Sequence, residues 1–191
     1  MARLMLMRFM IAISLLWISH STLAATPQWE IIPSESSINF TAKQNGAPVS
    51  GRFSAFTGEI QFDQNDLTSS HVKIIVDTNS VTTSFADIAE TLKTEEWFDV
   101  KLFPTAIFES SNFKKITEDS YQTNGTLTIR DKSLPMSASF TGQSLTPDKG
   151  QVIGTMKLQR TQYAVGQGEW ASLDEIKDDV QIDFTLTAKR K

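Results

Sequence analysis

Few side chains in this 191-residue sequence could make or break bonds. Cysteine is absent, and the two histidines are His20 and His71. Zinc sites, Cys–His nucleophiles and multi-histidine metal clusters are therefore excluded. A Ser–His–Asp triad would have to use His71, which follows Thr68-Ser69-Ser70 at the head of an alternating segment and reads as an exposed strand-end residue. Acids occur in neighbouring pairs, Glu95–Glu96, Asp174–Glu175 and Asp178–Asp179. Paired carboxylates can serve calcium or acid–base chemistry. None of these pairs has the spacing of a defined calcium loop, and adjacent carboxylates in loops are ordinarily solvated. The G-x-G within VGQGEW, Val165 to Trp170, lacks the rest of a phosphate-binding fingerprint and has no clear helix behind it. It reads as a hairpin loop. Arg130 and Arg160 each end a strand-like run and are candidates for gripping an oxygen-rich group, against the plainer roles of surface charge or ion-pair partner. With this inventory, binding is a stronger expectation than catalysis.

The elements that must position such residues begin after a leader. Arg3 and Arg8 precede the short apolar run Phe9–Ile18, and small residues follow in STLAA. That is the pattern of a secretory signal peptide, with cleavage expected after Ala24 or, next, Ala25. The apolar run is well short of the ~20 residues that span a bilayer. Residues 1–24 are thus read as leader and 25–191 as one domain, long enough to bury its own core. Export without disulfides points to a bacterial periplasm. Of 18 basic residues, 16 remain once Arg3 and Arg8 are removed, against 22 acids, a net charge of −6. An acidic chain of this kind is not built for nucleic acid.

Period-two alternation dominates the remainder. In VQIDFTLTA, Val180, Ile182, Phe184, Leu186 and Ala188 share one face, with polar residues on the other. SINFTA aligns Ile38, Phe40 and Ala42; HVKIIVD aligns Val72, Ile74 and Val76; FTGEIQF aligns Phe56, Gly58, Ile60 and Phe62. Phe53 has the opposite parity to Phe56, which calls for a bulge or a new strand between them. Further strands are expected in TAIFESSNF, YQTNGTLTIRD, LPMSASFTG and QVIGTMKLQR. Asn45–Pro48 is a break, and in TPDKG a turn is expected from Pro147 and Gly150. Short turns between eight or nine strands describe an antiparallel meander.

One excursion leaves this pattern. Phe85, Ile88, Ala89 and Leu92 recur at helical spacing, and Ser84 with Asp87 gives a weak capping signal. A helical segment is expected over about 84–98, then an aromatic loop, then a strand re-entered at Pro104. Trp97, Phe98, Leu102 and Phe103 crowd that loop. A sheet closed on itself has a mouth over or into which such a loop can pack.

The segment NSVTTSFADIAETLKTEEWFDVKLFPTAIFES, together with GRFSAFTGEIQFD, NGTLTIRDKSLPMSASF and KLQRTQYAVGQGEW followed by DDVQIDFTLTAKRK, resembles the YceI-like family of periplasmic proteins along nearly all of the chain after the leader. The resemblance implies an all-β fold, an eight-stranded antiparallel lipocalin-like barrel with one helix beside it, whose elongated apolar pore holds an isoprenoid chain. Where members of that family often carry histidines, this sequence has Glu35, Gln44 and Ala89-Glu90-Thr91-Leu92. Head-group chemistry relying on histidine is therefore not carried over.

On this reading the chain is a non-enzymatic binding protein for an isoprenoid lipid, a polyprenyl diphosphate or an isoprenoid quinone, with no cofactor. Phe40, Phe53, Phe62, Ile75, Phe85, Trp97, Phe98, Phe108, Trp170 and Phe184 are the expected apolar contacts. Arg130 and Arg160 are the expected contacts to a diphosphate or quinone oxygen. The alternative is an interaction module with a solid core, whose aromatic loop and GQGEW segment meet a protein partner of the inner membrane. A hydrolase ranks last.

Overall fold

The alternating segments become strands, and the strands close a ring. The computed structural model describes residues 26–191 apart from Pro147; the expected leader, and the turn role of Pro147, lie outside the described residues. The strands are β1 (Gln28–Ile31), β2 (Ser37–Gln44), β3 (Ala47–Phe53), β4 (Phe56–Gln61), β5 (His71–Asp77) and β6 (Val81–Thr83). After α1 (Ala86–Leu92) come β7 (Thr105–Lys115), β8 (Ser120–Ile129), β9 (Lys132–Thr146), β10 (Lys149–Gln159) and β11 (Asp179–Arg190). All pairings are antiparallel, and the order β1-β4-β5-β7-β8-β9-β10-β11 returns to β1 through the register Trp29–Arg190.

Those eight strands are the closed barrel. The other three extend it at one end: β2 pairs with β11, β3 with β2, and β6 with β3. The chain therefore makes eight passes, three of them broken at one level: β1 into β2, β3 into β4, and β5 into β6. The breaks are stitched together. Asp77 N–H donates to Ala55 O (3.0 Å) and Ser54 N–H to Ser80 O (3.2 Å), while the Ser80 hydroxyl accepts from Ala55 N–H (3.0 Å). This accounts for the parity change between Phe53 and Phe56: a new strand begins. Closure leaves the ring without a free edge, which an open eight-stranded sheet would have.

Local chemistry explains the turns. Asn45 (φ 50°) and Gly46 (φ 80°) join β2 to β3, since a two-residue hairpin of this hand needs positive φ at both positions. Arg130 takes φ 55° in the tight turn from β8 to β9. Gly150 differs from expectation. It sits inside β10, paired with Ser144 and Ala188, and is not among the positive-φ residues.

The helix is also shorter than its apolar spacing predicts. It covers Ala86–Leu92 with Phe85 as N-cap, and no side chain caps it. The Thr83 hydroxyl accepts from Phe85 N–H, so the Ser84–Asp87 capping signal is not used. Beyond Leu92 the chain folds in tight turns, with Phe98 N–H on Leu92 O (3.0 Å) and Asp99 N–H on Thr94 O (2.8 Å). Buried apolar residues gather in two clusters along the barrel interior. One surrounds Val81, Leu92, Trp97, Leu158 and Tyr163 near the helix; the other surrounds Ile31, Ile38, Phe56, Ile74 and Leu186.

Candidate functional site

The inward faces of the strands do not meet across the barrel. They enclose a cavity of about 730 Å³. Its wall follows the alternation: Val180, Ile182, Phe184, Leu186 and Ala188 of β11 all line it, as do Ile38, Phe40 and Ala42 of β2 and Val72, Ile74 and Val76 of β5. The lining runs from Gln44, Thr91 and Trp170 at the helix end to Asp63, Asp119 and Gln143 at the opposite end. The hollow is thus a channel along the barrel. Eleven residues of β7, at about 3.3 Å each and tilted by about 40°, give a barrel about 25 Å tall.

Glycines keep the channel open. A Cβ on Gly51 would lie 2.4 Å from Phe40 Cζ, and one on Gly154 would lie 2.4 Å from Phe184 Cζ. Both rings therefore lie over a neighbouring strand where a side chain is missing, against the wall and out of the lumen. Small residues at Ala42, Ala106, Ala138 and Ala188 thin the wall further.

Aromatic clusters mark the two ends. At the helix end, Phe53 meets Phe40 (5.8 Å) and Phe98 (5.7 Å), and Trp97 meets Trp170 (5.8 Å). At the other end, Phe62 packs edge-on to Phe113 (5.6 Å) and Tyr121 (5.7 Å), and Tyr121 stacks on Phe140 (5.4 Å). Phe113, Tyr121 and Phe140 all line the cavity and are absent from the contacts expected from sequence. Their signal was available: Tyr121 shares parity with Leu127 and Ile129, and Phe140 with Ala138.

Of the expected contacts, Phe40, Phe53, Phe62, Trp97, Phe98, Phe108, Trp170 and Phe184 border the channel. Ile75 does not; its neighbours Ile74 and Val76 do, so the pleat turns Ile75 to the outer face. Phe85 does not either. It precedes the first helical turn and is 66% exposed, while Ile88 and Leu92 carry the helix stripe to the cavity.

The two arginines have different partners from those expected. Arg160 is 2% exposed. Its Nε donates to Lys177 O (3.3 Å), Nη1 to Val165 O (3.0 Å) and Gly166 O (2.9 Å), and Nη2 to Trp170 O (2.8 Å), Ser172 O (3.3 Å) and Ile176 O (3.0 Å). A guanidinium has five N–H groups, so none is left for a ligand. Burial pulls the Arg160 pKa below its ordinary value, with Asp178 acting in the opposite sense. Arg160 borders the channel, but its work is to gather the 160–178 connection over the helix end. Arg130 does the same for the aromatic loop. It donates through Nη1 to Glu95 O (2.7 Å) and to Trp97 O, and its guanidinium lies 5.3 Å from the Phe103 ring and 4.0 Å from Asp99. Arg130 is absent from the cavity wall. The two loops then lock together: Gly166 and Gln167 N–H both donate to Glu96 O (2.8 Å each).

His71 lies outside the channel. Its Nδ1 is 2.9 Å from the hydroxyl of exposed Ser111, and Nε2 is 3.7 Å from Glu109, which Lys73 also approaches at 3.9 Å. Three residues of triad type thus meet on the strand surface, none of them in the cavity wall.

Comparison with known proteins agrees with this architecture. The sequence model of the YceI-like domain matches residues 29–188. A UPF0312 protein of Vibrio vulnificus is 30% identical over 135 residues, 68% of this chain and 71% of the relative. One from Pectobacterium carotovorum is 31% identical over 156 residues, 78% of this chain and 81% of the relative. Among solved structures, BcnA of Burkholderia cenocepacia superposes with a TM-score of 0.80 at 26% identity, covering 83% of this chain and 99% of BcnA. A polyisoprenoid binding domain from Saccharophagus degradans superposes with a TM-score of 0.70 at 18% identity, covering 85% and 98% respectively, a likeness of fold.

Proposed function

Because the chain belongs to the YceI-like family and its barrel encloses an apolar channel, we propose that it is a periplasmic carrier that holds the hydrocarbon chain of an isoprenoid lipid. The observation that carries this reading is the 730 Å³ cavity walled by the inward faces of β2, β5 and β11. That volume lies within the range of sites that enclose most of a small ligand. Burial is worth about 0.8 kcal/mol per CH₂, so a partly enclosed chain of many carbons binds without any polar contact. The relative from Saccharophagus degradans, described as a polyisoprenoid binding domain, supports the same class of ligand.

The protein acts by sequestration and transfer, with no bond broken. A solid-core interaction module is disfavoured, since its premise is a barrel plugged by its own side chains. Hydrolysis is disfavoured because the His71 cluster sits outside the cavity. The leader pattern of Arg3 and Arg8 before the apolar run Phe9–Ile18, with no cysteine in the chain, supports export to the periplasm. Titration of the purified protein with isoprenoid lipids tests the reading. At a free ligand concentration 100 times Kd, linkage adds about 2.7 kcal/mol, which raises the melting temperature by about 5–10 °C. Absence of any rise with every isoprenoid tried refutes it.

A further inference from the structure

The two ends of the channel are closed by different means. At the helix end the segments around the lumen are tied one to the next. Asn45 N–H donates to Glu175 O (2.7 Å) and Lys177 N–H to Lys43 O (2.9 Å), which fastens the β2–β3 turn to the 160–178 connection. That connection is fastened to the aromatic loop through Glu96 O, and the loop to Arg130. At the opposite end, among the described residues, no hydrogen bond joins the connection 63–70 to the turn 116–119.

Aromatic rings close that end instead. Phe62 follows β4 directly, while Phe113, Tyr121 and Phe140 belong to β7, β8 and β9. In the closed ring β9 lies four strands from β4, on the far side of the lumen. Eight strands about 4.8 Å apart and tilted by about 40° make a ring about 16 Å across. Yet the Phe62 and Phe140 rings are only 6.4 Å apart, and Phe62 also meets Phe113 and Tyr121 edge-on. Opposite walls therefore touch here through side chains that reach across the channel. Beyond these rings the wall continues through Gln64, Asn65, Asp119, Gln143 and Arg190, all exposed. The rings thus stand just inside the mouth.

The backbone of Phe62 is anchored. Its N–H donates to Pro27 O (3.1 Å) and its carbonyl accepts from Trp29 Nε1 (2.9 Å). Its ring is half-buried, so a rotation about χ1 clears the lumen while the sheet stays intact. Resting on the carrier reading above, we propose that cargo enters and leaves through the end opposite the helix, and that the Phe62 ring is the gate. The helix end stays shut during exchange.

The test uses a geranylgeranyl chain bearing an anthranilate fluorophore, exchanged between the protein and phosphatidylcholine vesicles. Stopped-flow energy transfer from the tryptophans reads uptake and release. Phe62→Ala raises both rates about tenfold, the factor carried by one or two aromatic pair contacts, and changes Kd less than threefold. The chain has no cysteine, so a single introduced thiol addresses one end at a time. Gln64→Cys carrying a bulky maleimide slows uptake at least tenfold. The same label on Lys43→Cys, exposed on the rim at the helix end, slows it at most twofold. Both labelled positions are exposed, so this comparison stands whether or not Phe62→Ala folds. Faster release with unchanged uptake in Phe62→Ala, rates equal to wild type, or a label that blocks more at Lys43 than at Gln64 overturns the gate while the carrier reading stands. If wild type takes up no probe, both readings fall.

Discussion

Replacing Arg160 by methionine removes the clamp over the helix end while keeping an unbranched side chain of similar reach. Six carbonyl oxygens, from Val165 to Lys177, lose the donors that now lie 2.8–3.3 Å away. Each buried carbonyl left without a partner costs about 1–3 kcal/mol. The sum would exceed the stability of most domains, so the connection does not stay folded around the methionine. It opens and lets water reach the carbonyls, at the expense of the Trp97–Trp170 contact and of Ile176 and Val165 in the core. Removing a desolvated charge offsets part of the loss. A net cost of about 3–5 kcal/mol follows, the range for breaking a buried charged network. In thermal melts this lowers the midpoint by on the order of 10 °C, and tryptophan emission shifts to the red before the sheet melts. Arg160→Lys rescues only in part, because three donors at one point cannot serve six carbonyls spread around a fork. An Arg160→Met protein melting within about 2 °C of wild type, with unshifted emission, refutes the assignment of Arg160 as the organiser of this loop.

Other perturbations follow from the same geometry. Tyr163 is 1% exposed with an unpartnered hydroxyl, so Tyr163→Phe should raise stability by about 1 kcal/mol in urea unfolding near neutral pH. Burial raises the Tyr163 pKa above its ordinary value of 10.0; the neutral phenol is favoured in the fold, so its contribution is constant below pH ~10 and is lost as pH rises beyond that. The alkaline loss should be smaller in Tyr163→Phe, read as melting temperature against pH. Ala138→Phe forces a ring into a wall position that is only 2% exposed; isoprenoid affinity should fall more than tenfold, with a loss of about 1–3 kcal/mol in urea unfolding from overpacking. Gly154→Val brings a Cβ to 2.6 Å from Ser139 O as well as onto the Phe184 ring, so the sheet must shift; a loss of about 1–3 kcal/mol in urea unfolding is expected, together with weaker lipid uptake as Phe184 is driven inward.

The wall of the channel was largely legible in the sequence. The five apolar residues of β11 and the three each of β2 and β5 announce an inner face by parity alone, and all of them line the cavity. Ile75 shows the limit of reading apolar character without parity: it is as greasy as Ile74 and faces the other way. Phe85 shows the limit of helical spacing, because the stripe says which residues share a face and says less about where the first turn begins. The breaks between β1 and β2, β3 and β4, and β5 and β6 depend on hydrogen bonds between distant turns, such as Asp77 N–H to Ala55 O, that no local pattern encodes. Arg130 and Arg160 were the least readable. Their acceptors are backbone carbonyls, which every residue carries, so a loop clamp and an anion site look alike in one dimension.

The central claim is that the channel carries a lipid, and the protein isolated from its own host tests it most directly. Organic extraction followed by quantitative mass spectrometry should release about one isoprenoid lipid per chain. An extract holding no isoprenoid above trace, from protein that retains its folded barrel, would contradict the account.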